Sequence, residues 1–394
     1  PRLVRQALRM DGFFHKLSVK FIGKKYNRTQ TDGGKMILIN GNFLCRNLTG
    51  IERFAWEVCS KMDQILDGND DIRLLVPANA KKIPDLKKIK IEKSTKQIKS
   101  FPIWDMWTFA LVCKKFKATA LNFSNTAPLG KLCGLSFLHD IYAKTYPKDF
   151  VSLKDRLIKI YSLFSYHNIA KNAKIVLTVS EFAKNEIQKA YKVQDNRIKV
   201  IPNGWDHFKD LQADDKIFEK FGQLKPKEFY FTLGSLSKRK NLKWIAEYAK
   251  KHEDETFAVS GKAISGLVPP ELEALKNLKN VVLLGYVTDG EVKALMKKCK
   301  AFVFPSYYEG FGIPPLEALS CGTKVVVSNR ASLPEIYKDS AVYIDADSTD
   351  CNLAKLLEKK VDSPQKILEN YTYENAAKKL LEAIKSLYSS INKM

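Results

Sequence analysis

The chain has 394 residues, of which 45% are apolar and 11% aromatic, so it is long enough to bury two cores and has the composition of a globular protein. No stretch approaches the roughly 18 uncharged apolar residues that a membrane-spanning helix needs. The seven cysteines are odd in number, form no Cys-x-x-Cys pair and lie in apolar segments. They therefore predict neither a disulfide framework nor a zinc site, and they indicate a reducing compartment.

The formal net charge of +23 is distributed unevenly along the chain. Residues 1–206 contain 37 Lys and Arg against 18 Asp and Glu, whereas the remainder contains 29 against 25. A basic first half attracts an anionic partner, which is a nucleic acid, an anionic membrane surface or a phosphorylated substrate. A lysine-rich composition kept for solubility explains the same excess.

The first predicted element is a basic N-terminal extension over residues 1–34. Its apolar residues recur at roughly helical spacing among Arg and Lys, which is typical of an amphipathic segment lying on an anionic membrane. A helix docked on the first domain explains the pattern equally well. The polar residues 27–34 predict a linker.

The next part of the chain alternates strands and helices. Met36–Asn40 is an unbroken apolar run, which is typical of a strand buried on both faces. A loop containing Gly50 follows, and a helix is predicted after it. Such alternation predicts a parallel sheet with helices on both faces. The further strands predicted in this half are Ile72–Val76, Ala118–Phe123, Leu135–Leu138, Ile175–Val179 and Ile198–Ile201.

The same pattern restarts at Phe229–Leu233, after a polar boundary near Asn203–Asp215. We therefore predict an α/β protein with one domain over residues 35–206, a second over 207–372, and a last helix over 373–394 that crosses back to the first domain. The remaining strands predicted in the second domain are Thr256–Val259, Val281–Leu284, Ala301–Phe304, Lys324–Ser328 and Ala341–Ile344.

Ligands of doubly wound sheets bind at the carboxyl ends of the strands. In this sequence those ends carry the Gly50 loop, the pair His139 and Asp140, Gly234 with the basic triplet Lys238–Lys240, and the turn from Glu309 to Glu317. The basic triplet suits a diphosphate, although a solvated run of charge is an alternative. His139 is placed to hydrogen-bond a ligand hydroxyl, although a purely structural histidine is also consistent.

The turn from Glu309 to Glu317 is the most specific of these features. Two carboxylates bracket seven residues that include Gly310, Gly312 and a Pro-Pro pair, between an apolar strand and a helix. Such a turn lets backbone N–H groups approach a ligand bearing phosphate and hydroxyls. An ordinary connection between a strand and a helix explains the glycines as well.

Together these segments resemble the retaining glycosyltransferases of family 4, over roughly residues 36–390. The Glu309–Glu317 turn is similar to the Glu-x7-Glu signature of that family. The resemblance implies the GT-B fold, in which two Rossmann-like domains face each other. The supporting matches are Thr49–Arg53, His139-Asp140, Val179–Glu181, Pro202–Gly204, Gly234–Asn241, Cys321–Thr323 and Ser332–Glu335.

The resemblance also implies roles for individual residues. Glu317 is expected to bind the nucleotide ribose, and Glu309 the donor sugar. The expected catalytic residues are Glu309, His139, Lys240 and Arg239, where the two basic residues neutralise the diphosphate and His139 contacts a sugar hydroxyl. Residues expected to bind the nucleotide sugar or to allow its close approach are Glu317, Gly310, Phe311, Gly312, Ile313, Gly234 and Gly50. Many members of the family carry Arg where this chain has Ser235, which makes the phosphate assignment depend more on Arg239.

The implied activity is that of a retaining hexosyltransferase acting in surface polysaccharide or glycoconjugate biosynthesis. The nucleotide sugar, linked to UDP, GDP or dTDP, is a co-substrate, and no other cofactor is expected. Reaction on one face of the sugar is expected, with no covalent intermediate on Glu309. No metal is expected either, because the Asp345-Ala346-Asp347 pattern follows the last strand and is interpreted as a turn.

The acceptor is expected to be a lipid-linked glycan that meets the first domain. Residues 81–117 combine eleven lysines with Phe101, Trp104, Trp107 and Phe109, a mixture suited to a lipid-linked pyrophosphate. We therefore expect a cytoplasmic protein peripheral to the inner face of the cell membrane, which does not bind nucleic acid.

Two alternatives remain from the residues alone. The same basic and aromatic segment is typical of nucleic-acid binding by charge and stacking. An NAD-type oxidoreductase also has Rossmann-like halves, but no Gly-x-Gly-x-x-Gly follows the first strand of this chain.

Overall fold

The computed structural model describes residues 36–48, 50–68, 70–234, 237–261 and 271–391. The predicted N-terminal extension, Thr49 and Ser235 lie outside these residues. Within the described ranges, no helix is long and apolar enough to cross a membrane.

The first half of the described chain forms a parallel sheet of seven strands in the order β3-β2-β1-β4-β5-β6-β7. Strand β1 lies inside the sheet, where Ile39 is in register with Leu74 on one side and with Leu121 on the other. Every residue of β1 is buried, as the apolar run from Ile37 to Ile39 predicts, and the polar Asn40 at its end is buried with them. The strands are β1 (Ile37–Asn40), β2 (Ile72–Val76), β3 (Lys90–Lys93), β4 (Thr119–Asn122), β5 (Leu135–Phe137), β6 (Ile175–Thr178) and β7 (Ile198–Val200).

The second half repeats this arrangement with a parallel sheet of six strands in the order β10-β9-β8-β11-β12-β13. In both sheets the chain moves outward from the first strand in one direction and then returns to its other side. The strand order therefore reverses between β1 and β4 and between β8 and β11, where α/β sheets form ligand crevices. The strands are β8 (Phe229–Leu233), β9 (Thr256–Ser260), β10 (Val281–Gly285), β11 (Ala301–Phe304), β12 (Val325–Ser328) and β13 (Val342–Ile344).

Helices connect most of these strands. A helical segment covers residues 101–116 and consists of Phe101–Ile103, a π-helical turn Trp104–Thr108 and Phe109–Phe116. The other α-helices are Gly50–Ile65, Tyr142–Thr145, Leu153–Asn172, Glu181–Tyr191, Lys216–Lys220, Leu242–Lys251, Glu271–Lys276, Asp289–Lys298, Pro314–Ser320, Leu333–Tyr337, Leu353–Leu356, Gln365–Asn370 and Tyr373–Ile391.

The last helix, Tyr373–Ile391, packs against the first one, Gly50–Ile65, as the predicted crossover requires. The rings of Phe54 and Tyr373 meet at this contact with centroids 6.3 Å apart. Side chains of both halves and of the last helix share one continuous core cluster. The chain therefore returns to its first helix at the end.

Two features of the first half differ from or extend the sequence predictions. Strand β3 is not predicted, because its lysines and Glu92 give no apolar run at this edge of the sheet. Trp104 and Phe109, which the sequence suggested as ligand-binding aromatics, are buried in a core cluster with Leu38 and Leu75. They are unavailable to an acceptor because the helical segment 101–116 turns them toward the sheet.

The crossover leads to a prediction about Gly204. A Cβ at this position would lie 2.2 Å from the backbone nitrogen of Tyr373 and 2.6 Å from the carbonyl carbon of Thr372. Because both neighbours are backbone atoms, Gly204→Ala must displace the last helix, and we expect a loss of about 1–3 kcal/mol in unfolding free energy. Thermal unfolding measures this. The control Gly222→Ala, whose Cβ has no neighbour closer than 4.0 Å, should leave the midpoint unchanged, and equal midpoints for the two variants would contradict the assignment.

Candidate active site

The turn that begins at Glu309 is held directly against the first half of the protein. A Cβ on Gly310 would lie 2.1 Å from the carbonyl oxygen of His139, so the two backbones are in contact and only glycine fits. The carbonyl of Gly310 also accepts a 2.6 Å hydrogen bond from the Ser180 hydroxyl. The carboxyl ends of β11 and β5 therefore meet at this point.

A short segment of the second half, residues 332–337, fixes the same turn from behind. The Ser332 hydroxyl lies 3.0 Å from the carbonyl oxygens of both Glu309 and Phe311, and the Tyr337 hydroxyl donates to the carbonyl of Gly312. The turn backbone is therefore supported on both sides. Gly312 itself has a φ of +89°, which favours glycine.

The carboxylate of Glu335, in the same segment, joins the two halves. It accepts hydrogen bonds of 2.8 and 2.7 Å from the backbone N–H groups of Glu181 and Phe182. These N–H groups begin the helix Glu181–Tyr191 and have no partner within it, so a carboxylate stabilises them by hydrogen bonding and by the helix dipole.

The Glu309 side chain is 5% exposed and lies between two basic side chains. Its Oε1 accepts from the Lys240 ammonium at 2.7 Å, and its Oε2 lies 3.3 Å from the Arg239 guanidinium. Burial by itself raises the pKa of Glu309, but the two cations outweigh burial and hold that pKa below its usual range. Glu309 is therefore an anion at neutral pH.

The charge of this cluster is nearly balanced. Asp140, which follows His139, lies 3.9 Å from Arg239, so two carboxylates face two cations. The Lys240 ammonium also lies over the ring of Phe304, 4.4 Å from its centroid. Its aliphatic stem lies 3.0 Å from where a Cβ on Gly234 would be, so this glycine leaves room for the lysine.

Asn241 fixes the basic triplet in place. It adopts a left-handed backbone conformation with a φ of +59°, and its side-chain amide donates to the carbonyls of Pro305 and Ala346 at 3.1 and 2.7 Å. Asn241 thereby holds Arg239 and Lys240 beside the end of β11.

The turn after Glu309 also presents backbone donors. No hydrogen bond formed within the described ranges uses the N–H groups of Phe311, Gly312 or Ile313. Phe311 is buried against the ring of Tyr371, and Ile313 is half-buried. These N–H groups are therefore available for oxygens of a ligand.

His139 is buried in an aromatic cluster. Its ring is stacked on Phe137 with centroids 5.2 Å apart and meets Phe54 edge to face. Its Nε2 lies 2.7 Å from the carbonyl oxygen of Phe123, and because burial lowers the pKa of His139, the neutral ring donates from Nε2. The other ring nitrogen, Nδ1, is then the acceptor.

Glu317 lies in a different environment, beside the crossover. Its Oε1 is 3.2 Å from Nε2 of His207, and the His207 ring packs on Tyr373 with centroids 5.6 Å apart. Among the described residues, Nδ1 of His207 and the hydroxyl of Tyr373 have no hydrogen-bond partner, although both are buried. Glu317 is thus positioned by residues of the chain segments that connect the two halves, His207 and Tyr373.

Gly50 is less closely tied to the other predicted residues. It is exposed at the start of the first helix, and no atom lies within 4 Å of where its Cβ would be. Three residues later Arg53 forms an ion pair with Asp289, which begins a helix of the second half. The Gly50 loop therefore borders a contact between the halves.

The Asp345-Ala346-Asp347 segment folds as a turn. The Asp345 carboxylate accepts from the N–H of Asp347 at 2.9 Å, and Asp347 pairs with Arg330. In the part of the chain that the structure describes, no three His, Cys, Asp or Glu side chains are grouped as a metal site.

The structure thus brings together Glu309, Lys240, Arg239, Gly234 and Gly310, and places His139 at the same contact. Sequence reasoning did not assign roles to Asp140, His207, Ser180, Ser332 or Glu335. Ser180, Ser332 and Glu335 belong to segments that support the resemblance, but their partners lie more than twenty residues away along the chain, so the sequence gives no sign of the contacts. His207 has no sequence signal beyond its position after the Pro202–Gly204 match.

Comparison with known proteins identifies the family. Residues 213–379 match the family described as "Glycosyl transferases group 1", and residues 49–207 match "Glycosyltransferase Family 4". The O-antigen chain mannosyltransferase B of Escherichia coli is 30% identical over 268 residues, which cover 63% of this chain and 69% of that protein. The chain belongs to the family-4-like glycosyltransferases. The predicted membership of family 4 is confirmed, whereas the retaining reaction and the role of the Glu309–Glu317 turn stay predictions.

Solved structures confirm the fold of this glycosyltransferase. WaaG, a glycosyltransferase involved in lipopolysaccharide biosynthesis, superposes with a TM-score of 0.59 at 16% identity, covering 87% of this chain and 94% of WaaG. HepE of Anabaena in complex with UDP-glucose superposes with a TM-score of 0.57 at 16% identity, covering 91% and 100%. The predicted GT-B architecture is therefore confirmed. Membership of a glycosyltransferase family also rejects the alternative of an NAD-type oxidoreductase. The predicted domain boundaries and site roles stay predictions.

The depressed pKa of Glu309 leads to a prediction about stability. A carboxylate whose pKa is lower in the folded than in the unfolded protein stabilises the fold above its unfolded value, near 4.5, and loses that effect as the pH falls through the folded value. We expect Glu309→Gln to lower the unfolding free energy at neutral pH by roughly 1–4 kcal/mol, because the half-buried Lys240 and Arg239 lose their shared partner. The difference from wild type should shrink below about pH 4.5.

Unfolding midpoints of the two proteins measured across this pH range test the prediction. Glu358→Gln, which removes an exposed carboxylate, is the control and should give a small difference that does not change with pH. A Glu309→Gln difference that grows as the pH falls would show that the ion pairs do not stabilise the fold.

Proposed function

We propose that this glycosyltransferase is a retaining hexosyltransferase that moves a sugar from a nucleotide sugar to a glycan acceptor. The observation that supports this most directly is the Glu309 carboxylate held between Lys240 and Arg239, at the strand end that faces His139. A carboxylate, two cations and three available N–H groups are the groups that a sugar joined to a diphosphate requires.

The two cations act on the leaving group. Negative charge on the nucleoside diphosphate grows as the bond between sugar and phosphate breaks, and fixed positive charges stabilise that state more than the ground state. Lys240 and Arg239 stay paired with Glu309 and use their remaining N–H groups to bind the diphosphate oxygens when the donor is present. They supply the positive charge that a metal ion provides in other transferases, so we propose a metal-independent reaction.

Glu309 positions the donor sugar rather than attacking it. Both of its oxygens are engaged by cations, which lowers the nucleophilicity of the carboxylate. We propose that the acceptor hydroxyl attacks from the face that the diphosphate leaves, and that a diphosphate oxygen takes the acceptor proton. The new bond then has the same anomeric configuration as the donor, with no glycosyl-enzyme intermediate.

Glu317 is proposed to bind the hydroxyls of the nucleotide ribose. It lies three residues inside the helix that follows the turn, and His207 holds one of its oxygens. The other oxygen is left to accept from a ribose hydroxyl. We propose that Nδ1 of His139 accepts a hydrogen bond from a sugar hydroxyl, because Nε2 already donates to the Phe123 carbonyl.

The names of similar proteins support the substrate class. One relative is an O-antigen mannosyltransferase, and one similar structure contains UDP-glucose. We therefore propose a hexose donor linked to UDP, GDP or dTDP, with mannose the first sugar to test, and a role in surface polysaccharide biosynthesis. The acceptor is proposed to be lipid-linked and to be met at the inner face of the cell membrane, where a basic first half is attracted to anionic lipid.

The roles of Glu317 and Lys240 are separable by binding. Glu317→Gln should weaken the binding of a nucleoside diphosphate roughly tenfold, which is the effect of losing one hydrogen bond to a charged group. It should leave the affinity for inorganic pyrophosphate unchanged. Lys240→Ala should weaken the binding of both ligands, because it removes a positive charge from the proposed phosphate site. Calorimetric titration measures each, with Glu358→Gln as the control. Equal losses of pyrophosphate binding in the two variants would show that Glu317 is not a ribose ligand.

Transfer itself tests the proposed function. We expect wild type to release nucleoside diphosphate from one of a panel of UDP-, GDP- and dTDP-hexoses in the presence of a lipid-linked glycan acceptor, with activity that persists in EDTA. Nuclear magnetic resonance of the product should show the donor configuration. Glu309→Gln should reduce kcat at least about a hundredfold, the size of a lost electrostatic contact in the transition state.

Three outcomes would contradict parts of this proposal. An inverted product would reject retention. A covalent glycosyl adduct on Glu309, detected by mass spectrometry, would reject the positioning role. Loss of activity in EDTA with recovery on adding a divalent cation would reject metal independence.

A further inference from the structure

The outward face of the helix Leu153–Asn172 is apolar. Leu153, Leu157, Ile160 and Phe164 are exposed by 76%, 61%, 58% and 45%, and their spacing of four, three and four residues places them on one side of the helix. The inward side of the same helix is formed by Tyr166, Ile169 and Ala170, which are buried. A surface helix of a globular protein normally turns polar residues outward.

The helical segment 101–116 shows a second stripe of this kind. Ile103, Trp107 and Leu111 are exposed and recur every four residues, while the inward side carries buried Trp104 and Phe109. Both stripes therefore belong to helices whose other side is already packed on the sheet.

The two helices that carry the stripes meet at one short turn. The helix Leu153–Asn172 and the helix Phe109–Phe116 both contact the turn Gly130–Cys133, whose Leu132 is exposed as well. The Asn168 side chain fixes this contact by accepting from the N–H of Gly130 at 3.1 Å and donating to the carbonyl of Pro128 at 2.9 Å. We call the apolar face formed by these elements the outer face; it comprises Ile103, Trp107, Leu111, Leu132, Leu153, Leu157, Ile160 and Phe164.

The exposed charges carried by the segment that forms the outer face have one sign. Residues 101–172 contain ten Lys and Arg and four Asp. None of the four aspartates is exposed: Asp105 and Asp155 are buried, Asp149 accepts from the hydroxyls of Tyr142 and Tyr307, and Asp140 lies beside Arg239. The exposed charges are therefore basic, and they include Lys114, Lys131, Lys148, Lys154 and Arg156.

We propose that the outer face docks on the surface of a bilayer containing anionic phospholipid. Exposed Leu, Ile, Phe and Trp side chains bordered by Lys and Arg are the composition that binds at the boundary between head groups and acyl chains. Each basic residue near such a surface adds attraction to anionic lipid. This inference deepens the proposed function, because it names the surface that would bring the enzyme to a lipid-linked acceptor.

The charge also argues against two other occupants. A second copy of the chain would bring two basic faces together, and residues 1–34 are themselves basic, with eight Lys and Arg against two Asp. Like charges brought together across an interface oppose binding. An anionic bilayer matches both the apolar and the basic parts of the face.

The outer face is linked closely to the candidate site. Asp140 lies beside Arg239, and only twelve residues separate it from Leu153 at the start of the exposed stripe. Within those residues Tyr142 and Asp149 contact Tyr307, which precedes Glu309 by two positions. The segment that leads into the exposed stripe therefore also contacts the turn of the candidate site.

Cosedimentation of the full chain with vesicles tests the proposal. Wild type should bind vesicles of phosphatidylcholine and phosphatidylglycerol at about 0.15 M salt, and should bind phosphatidylcholine alone much more weakly. The variant Leu157→Gln/Ile160→Gln/Phe164→Gln should lose about tenfold or more in binding. The matched control Ile65→Gln/Ile83→Gln/Ile91→Gln removes three exposed isoleucines elsewhere in the first half and should bind like wild type. Equal thermal unfolding midpoints show that the variants fold.

Several results would overturn the proposal. The proposal is wrong if the outer-face variant binds vesicles as well as wild type does, or if the control variant loses vesicle binding to the same extent as the outer-face variant. It is also wrong if sedimentation velocity shows that wild type self-associates and that only the outer-face variant abolishes this. Tight DNA binding at the same salt, lost in the outer-face variant in place of vesicle binding, would also overturn it.

The proposed function fails separately from this inference. Vesicle binding without sugar transfer would reject the function and keep the docking surface. Transfer to a soluble acceptor without vesicle binding would keep the proposed function and reject the docking surface.

Discussion

The contact between Gly310 and the carbonyl of His139 is the constraint on which the candidate site depends. It joins the carboxyl ends of β11 and β5 backbone to backbone, at a distance that no side chain at position 310 allows. The residue before the contact is Glu309, and the residue after His139 is Asp140. Fixing the two backbones therefore fixes both carboxylates that face Arg239. The hydroxyls of Ser180 and Ser332 then determine the orientation of the turn carbonyls, so that its N–H groups remain available.

The electrostatics of the site follow from this geometry. Two cations held against two carboxylates are stable without a ligand, because each of these buried or half-buried charges has an opposite charge nearby. The same arrangement suits the diphosphate of the proposed donor, because Lys240 and Arg239 are already oriented side by side at Glu309. The ion pairs that stabilise the fold and the charges proposed for catalysis are thus the same groups, and the position of Glu309 sets both.

Much of this fold follows from local sequence. Strands such as β1 and β11 are buried on both faces, so they appear as unbroken apolar runs, and the Glu309 turn appears as carboxylates spaced around glycines. Strand β3 is different because an exposed edge strand of lysines has no apolar signal. The helix Leu153–Asn172 carries apolar residues on both its inward and outward sides, so its sequence lacks the contrast from which a buried face is predicted. The roles of Ser332, Glu335 and His207 depend on partners that are distant in sequence, and no local pattern encodes them.

The position of Glu317 depends on Tyr373, the first residue of the last helix. Its partner His207 packs on Tyr373, and the N–H of Tyr373 donates to the Asp206 carboxylate at 2.6 Å. The same tyrosine packs on Phe54, whose ring also meets His139. A single aromatic contact path therefore connects the carboxylate proposed for the ribose with the histidine proposed for the sugar, and it passes through the first residue of the crossover helix. Because packed cores transmit small displacements, a shift of the last helix would be felt at both residues of the proposed donor site.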